Sequence, residues 1–149
     1  MNDDPTKLID SFTNEFDFLS NFYGCDIAFE EKKYPSSEHA FQAAKTFDKS
    51  ERENIRRANT PGIAKKLGRK LSLRKDWESV RDGIMLDILR IKFNSHPDLA
   101  QKLLDTGDAK LVEGNWWNDT YWGVCDGVGK NKLGITLMQV RDEIRNKKC

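Results

Sequence analysis

Apolar and polar positions follow two different rhythms along this chain. Up to Tyr34 the apolar residues fall in short runs at 8–12, 25–29 and 32–34, a strand pattern in which Glu30 and Glu31 form a hairpin turn. After Pro35 the period lengthens. Plotted at about 100° per residue, residues 37–47 place Ala40, Phe41, Ala43, Ala44 and Phe47 on one side of a helix and Glu38, His39, Gln42 and Lys45 on the other. The expectation is an amphipathic helix.

Further helices are announced by their ends. Ser50 followed by Glu53 is a capping-box pattern opening a second, polar helix, and Thr60-Pro61 offers an N-cap and a first-turn proline for a third that ends near Gly68. Asp76 can cap a long core helix in which Trp77, Val80, Ile84, Ile88 and Ile91 recur at spacings of three and four. Pro97 opens a short helix that Gly107 closes, 111–113 is a short strand, and Leu133, Leu137, Val140 and Ile144 line one face of a final helix. With no internal repeat or flexible linker, the pattern predicts α+β architecture: one mostly helical domain, 1–149, with a few short strands.

Composition narrows the chemistry. The 25 Lys and Arg residues against 24 Asp and Glu give a net charge of +1, so no global field draws the protein to nucleic acid or an anionic membrane, and any anion site is local. No apolar run approaches the ~20 residues of a membrane span, and the polar residues 1–6 do not form the apolar stretch of a signal peptide, so the expected location is cytoplasmic. Cys25, Cys125 and Cys149 are widely spaced and read as thiols. Two histidines, His39 and His96, are too few for a His-rich zinc site, and no Gly-x-Ser-x-Gly elbow marks a serine hydrolase. Carboxylate-bound magnesium stays open on this argument; no metal ligand and no cofactor are assigned. Carboxylates, lysine and aromatics remain.

Three segments could carry that chemistry. Residues 113–129, EGNWWNDTYWGVCDGVG, hold three of the four tryptophans together with Asn115, Asn118 and Asp119. Such a loop suits a planar polar ligand, which stacks on an indole while its edges find hydrogen bonds; equally, the rings could plug a small core with Asp119 capping a turn. Gly123, Gly127 and Gly129 precede the last helix, where glycines can present N–H groups to a phosphate or simply form turns. Glu38 and Lys45 lie seven residues apart, about 20° of net rotation, with Gln42 between them. On a solvated face they are ordinary surface residues; lining a cleft, the lysine would lose pKa and act as a nucleophile while the carboxylate handles protons.

Five ordered blocks then carry a resemblance. Phe18-Leu19-Ser20-Asn21-Phe22-Tyr23, Tyr34-Pro35-Ser36-Ser37-Glu38-His39-Ala40-Phe41-Gln42-Ala43-Ala44-Lys45, Leu111-Val112-Glu113-Gly114-Asn115, Asp119-Thr120-Tyr121-Trp122-Gly123-Val124-Cys125, and Asn131-Lys132-Leu133-Gly134 with Met138-Gln139-Val140-Arg141 together resemble the NADAR, or YbiA-like, family. The resemblance implies an N-glycosidase that cleaves a nucleobase-like leaving group from a ribose phosphate or ADP-ribose, in riboflavin-pathway intermediates or ADP-ribosylated guanine. It implies Glu38, Lys45 and Asp119 as catalytic residues, Lys45 serving as covalent nucleophile or phosphate ligand. Asn21, Phe22, Trp117, Trp122 and Gly123 are then the substrate-binding residues. The implied partner is a small nucleotide-like molecule, with ADP-ribosylated nucleic acid as a further substrate form. A non-catalytic module that binds ADP-ribose or a related nucleotide is the alternative, and an interaction protein docking through its aromatic loop is a third reading. The enzyme reading expects Glu38, Lys45, Asp119 and Trp122 around one pocket.

Overall fold

The structure is a computed structural model that describes residues 7–147, so residues 1–6 and Cys149 of the sequence reading lie outside the described residues. Along the chain, β1 is Leu8–Ile9, β2 Gly24–Phe29, β3 Lys32–Ser36, α1 Ser37–Ala44, α2 Lys49–Arg56, α3 Pro61–Gly68, α4 Trp77–Ser95, α5 Pro97–Asp105, β4 Lys110–Leu111, β5 Gly114–Asn115, β6 Val124–Cys125 and α6 Lys132–Lys147. A 3-10 helix, Asn14–Leu19, follows β1. The class is α+β, as the pattern predicts. Among the described residues no helix is long and apolar enough to cross a membrane.

Contacts divide the chain into two compact units, Asn21–Ser95 and the two flanking segments, which end at Ser20 and begin at His96. The central unit begins with an antiparallel hairpin in which Ile27 faces Tyr34 and Phe29 faces Lys32. Glu30 and Glu31 both take left-handed backbone, φ 47° and 70°, as a two-residue type I′ turn requires. Helix α1 packs against β2, β3, α2, α3 and α4. Enclosed on all sides, it has no solvated face: every residue from Ser37 to Ala44 is buried, Glu38, His39 and Gln42 included. The expected amphipathicity is therefore corrected, and so is its length, since the helix stops before Phe47, which stands 66% exposed beneath the Arg74 guanidinium, 4.1 Å from its ring centre.

Two other helix readings need adjustment. Helix α2 is capped by Asp48, whose Oδ1 accepts the Glu51 N–H at 2.9 Å, and not by Ser50; Glu53 instead clasps Arg56. In α4 the buried positions are Trp77, Met85, Ile88, Leu89, Lys92 and Phe93, while Val80, Ile84 and Ile91 are only half-buried. Trp77 packs against Phe41 with ring centres 5.1 Å apart. Asp76 starts α4 through its carbonyl, which accepts from Val80, whereas its carboxylate pairs with Arg74. Thr60 behaves as expected, its side chain accepting the Ile63 N–H ahead of Pro61.

In the flanking unit β1 runs parallel to β4 and β5 parallel to β6. Helix α6 packs on α5 and β4, burying Leu133, Leu137, Val140 and Ile144 as their spacing predicts. Gly107 takes φ 63° just past α5, the left-handed residue that ends a helix. The strand expected at 111–113 is shorter and earlier, and β5 and β6 were not expected.

Candidate functional site

The N-terminus of α1 is assembled around Asn21. Its carbonyl accepts the Glu38 N–H at 3.0 Å and the Ser37 hydroxyl at 3.2 Å, and its Oδ1 accepts the same hydroxyl at 2.9 Å. Ser36 caps the helix by accepting the His39 N–H. The His39 ring lies between the Ser36 hydroxyl, 2.7 Å from Nδ1, and the Ala58 carbonyl, 3.0 Å from Nε2. A carbonyl can only accept, so Nε2 carries the proton and Nδ1 accepts from Ser36. Burial keeps the imidazole pKa below its ordinary value, opposed by the bond to Ala58. His39 thus fastens the helix and is held neutral.

One turn on, the Gln42 amide donates to Glu38 Oε2 at 2.6 Å, both side chains being buried. The other end of that amide, Oε1, has no hydrogen-bond partner and rests on Gly68. A methyl group at Gly68 would lie 1.9 Å from Gln42 Oε1 and 2.7 Å from Cδ. Glycine within a helix costs about 1 kcal/mol relative to alanine. Gly68 has ordinary helical backbone, so the glycine is explained by space: it lets α3 close onto the Gln42 amide.

Lys45 ends α1 and is half-buried. Loss of solvent lowers the pKa of its amine; Glu38 opposes the shift, and the positive charges of Lys65 and Arg69 add to it. Lys65 also stands 6.0 Å over the ring of Phe22, which is 46% exposed. Within the central unit Asn21, Phe22, Glu38 and Lys45 therefore meet one set of neighbours: a buried carboxylate, a lysine biased toward its neutral form, an exposed aromatic face and two further cations.

In the flanking unit the loop from Glu113 to Asn131 is a densely bonded knot. Asp119 Oδ1 accepts the N–H groups of Tyr121 at 3.1 Å and Trp122 at 2.9 Å. Its main chain is gripped by Asn115, whose Oδ1 accepts from Asp119 N–H and whose Nδ2 donates to the Asp119 carbonyl. One oxygen of Asp119 thus caps a turn. The rings of Tyr121 and Trp122 meet edge to face at 5.0 Å, as do Trp116 and Trp117 at 5.5 Å; Trp116 is 85% exposed. Gly123 is packed so tightly that a β-carbon would strike Glu113 and Asn115.

The approach to α6 does not present open amides to a phosphate. The N–H groups of Lys130, Asn131, Lys132 and Leu133 donate to the carbonyls of Thr120, Gly123, Tyr121 and Trp122 in turn. Gly127 and Gly129, at φ 77° and 156°, serve the turn. Among the described residues no group of three or more His, Cys, Asp or Glu side chains is placed to hold a metal ion.

Sequence reasoning did not single out Lys65, Arg69 or Gly68. Gly68 read only as a helix end, and the closeness of α3 to α1 has no local signature. Gln42 was visible by its position one turn from Glu38, but its burial was not.

The NADAR domain model matches residues 9–145, and the chain belongs to the NADAR family. It is 44% identical to N-glycosidase YbiA of Escherichia coli over 137 residues, covering 90% of this chain and 85% of that one. An N-glycosidase of Nostoc punctiforme is 41% identical over 134 residues, with 86% and 85% covered. A riboflavin biosynthesis protein of Vibrio vulnificus is 41% identical over 131 residues, 86% of this chain but 35% of that longer protein. The solution structure of the E. coli protein YbiA superposes with a TM-score of 0.85 at 43% identity, over 95% of this chain and 87% of that one.

Proposed function

We propose that the chain is an N-glycosidase that cleaves a nucleobase-like leaving group from a ribose phosphate or ADP-ribose, with Glu38 and Lys45 performing the chemistry. The observation that carries this reading is a buried carboxylate fixed by Gln42 on α1 together with a half-buried lysine amine of lowered pKa at the end of that helix. A helix with no solvated face gains nothing in stability from burying such groups, and burial lowers lysine pKa in the direction a nucleophile needs. The names of the N-glycosidase and riboflavin biosynthesis relatives support the bond type and one substrate class.

In this mechanism the neutral Lys45 amine attacks the anomeric carbon. The N-glycosidic bond breaks, and its electron pair leaves with the base, which takes up a proton. The attacking nitrogen, now a glycosylamine, expels the ring oxygen to give an imine, with the proton passing to that oxygen. Water adds to the imine, Glu38 moving its protons, and releases the sugar aldehyde and the free amine. The sum is one water consumed, one base and one ribose phosphate released. Glu38 also faces the positive charge that develops at the anomeric carbon as the base departs. Lys65 and Arg69 supply the field for the substrate phosphate, and Phe22 and Trp122 the faces for base and ribose. Asp119 contributes through its hold on Trp122, with its second oxygen left for charge stabilisation.

Incubation with phosphorylated riboflavin-pathway intermediates and with ADP-ribosylated guanine, with released base followed by chromatography, tests the proposal. Release from either class supports it. Tight binding of ADP-ribose without release from any substrate would favour the non-catalytic binding module.

A further inference from the structure

We infer that Gln42 is a positioning residue for Glu38, and that Gly68 is present to hold its amide in the working orientation. A carboxylate only accepts, so an amide 2.6 Å from Glu38 Oε2 must offer its nitrogen, and in doing so it favours the charged form of the acid. That orientation leaves Gln42 Oε1 buried without a partner, an arrangement with a standing cost that a residue serving only stability would not carry.

Geometry explains why the amide stays there. Its oxygen end lies in the space a β-carbon at Gly68 would occupy, so α3 presses on one end of the amide while Glu38 holds the other. The two contacts leave the carboxamide little freedom to rotate, and the Glu38 carboxylate is fixed in turn. Gln42 need touch no substrate atom; its effect is transmitted through Glu38, four residues earlier on α1.

The role of Glu38 in catalysis belongs to the proposal above, but the coupling between Gln42 and Glu38 has a readout that needs no substrate. Carboxyl carbons labelled with ¹³C report the titration of Glu38 in the folded protein, the resonance being assigned by its loss in Glu38→Gln. In Gln42→Leu, and separately in Gln42→Met, the Glu38 midpoint is expected to move to higher pH because a donor to the charged form is gone. Gly68→Ala is expected to reproduce the shift by displacing the amide. In Gln42→Ala the added methyl has room, so combining Gly68→Ala with it should cause no further shift and restore part of the thermal stability that Gly68→Ala alone loses.

Measured on the phosphorylated riboflavin-pathway intermediate, Gln42→Leu should lower kcat about 10- to 100-fold with little change in KM. A Glu38 midpoint unmoved in the folded Gln42 variants overturns the inference. So does a wild-type kcat in Gln42→Leu alongside an inactive Glu38→Gln. A wild-type kcat in Glu38→Gln is a separate failure, that of the catalytic role given to Glu38, and leaves the NMR result to decide the coupling.

Discussion

Asn131 ties the aromatic loop to the last helix, and removing its amide should loosen both. Its Oδ1 accepts the Glu113 N–H at 3.0 Å, and its Nδ2 donates to the Leu111 carbonyl at 2.9 Å, in a side chain only 8% exposed. The residue also sits at φ 54°, where asparagine is tolerated better than most side chains. Asn131→Ala strands one donor and one acceptor, each costing about 1–3 kcal/mol when left unsatisfied. A further ~1 kcal/mol comes from placing alanine in left-handed backbone. The sum is roughly 3–7 kcal/mol, which for a chain of this size lowers Tm by on the order of 10 °C or more. Thermal unfolding by circular dichroism measures it. Asn131→Gly removes the backbone penalty alone and should recover only about 1 kcal/mol of the loss. A Tm within about 2 °C of wild type for Asn131→Ala would refute the reasoning, since it would mean that water or neighbouring groups replace both bonds.

His39, neutral and buried with a lowered pKa, makes stability fall with acidification: below pH 6.5 the unfolded chain takes up a proton that the folded chain refuses. Urea unfolding between pH 7.5 and 5 should therefore show a decline, and the part of it due to His39 should vanish in a folded His39→Gln protein. Trp122→Ala should weaken substrate binding by ~1–3 kcal/mol, the value of one base stack, read by titration calorimetry with ADP-ribose. Trp77→Ala, which opens the contact with Phe41, should instead cost ~3–5 kcal/mol of stability; the reverse pattern would mean that site and core have been exchanged. Lys45 is expected to make the rate rise with pH through a midpoint below the ordinary lysine value. Its buried charge also costs stability below that midpoint, a cost relieved as pH climbs toward 10.5, so thermal melts should show Lys45→Met gaining most at neutral pH.

Local signals located element ends well because caps act within a few residues. Thr60-Pro61, Pro97 and Gly107, and the hydrophobic face of α6, are where their chemistry puts them. Tertiary context decided the rest. The C-terminal half of α4 is apolar at so many positions that the phase of its buried face cannot be read from spacing, and Lys92, wholly buried beside Tyr23 and Phe93, has a side chain that argues for the opposite side. Asp48 and Ser50 are both good cap residues; the capping pair that forms is Asp48 with Glu51. The largest gap concerns α1. Glu38, Gln42 and Lys45 were visible as one polar face, but whether that face met water or protein depended on five neighbouring elements, and their enclosure turns an ordinary pattern into a candidate site. For Asp119 the turn-capping alternative is realised in one of its oxygens.

The most direct test of the account is trapping of the imine on Lys45. Borohydride added during turnover of ADP-ribosylated guanine, or of the phosphorylated riboflavin-pathway intermediate, should reduce the imine to a stable secondary amine. Intact mass should then show one ribosyl adduct per chain, and peptide mapping should assign it to Lys45. The adduct should be absent from a folded Lys45→Arg protein, which should also have lost turnover. Active enzyme that yields no adduct, together with near-normal turnover in Lys45→Arg, would contradict the covalent mechanism and leave Lys45 as a ligand for the substrate phosphate.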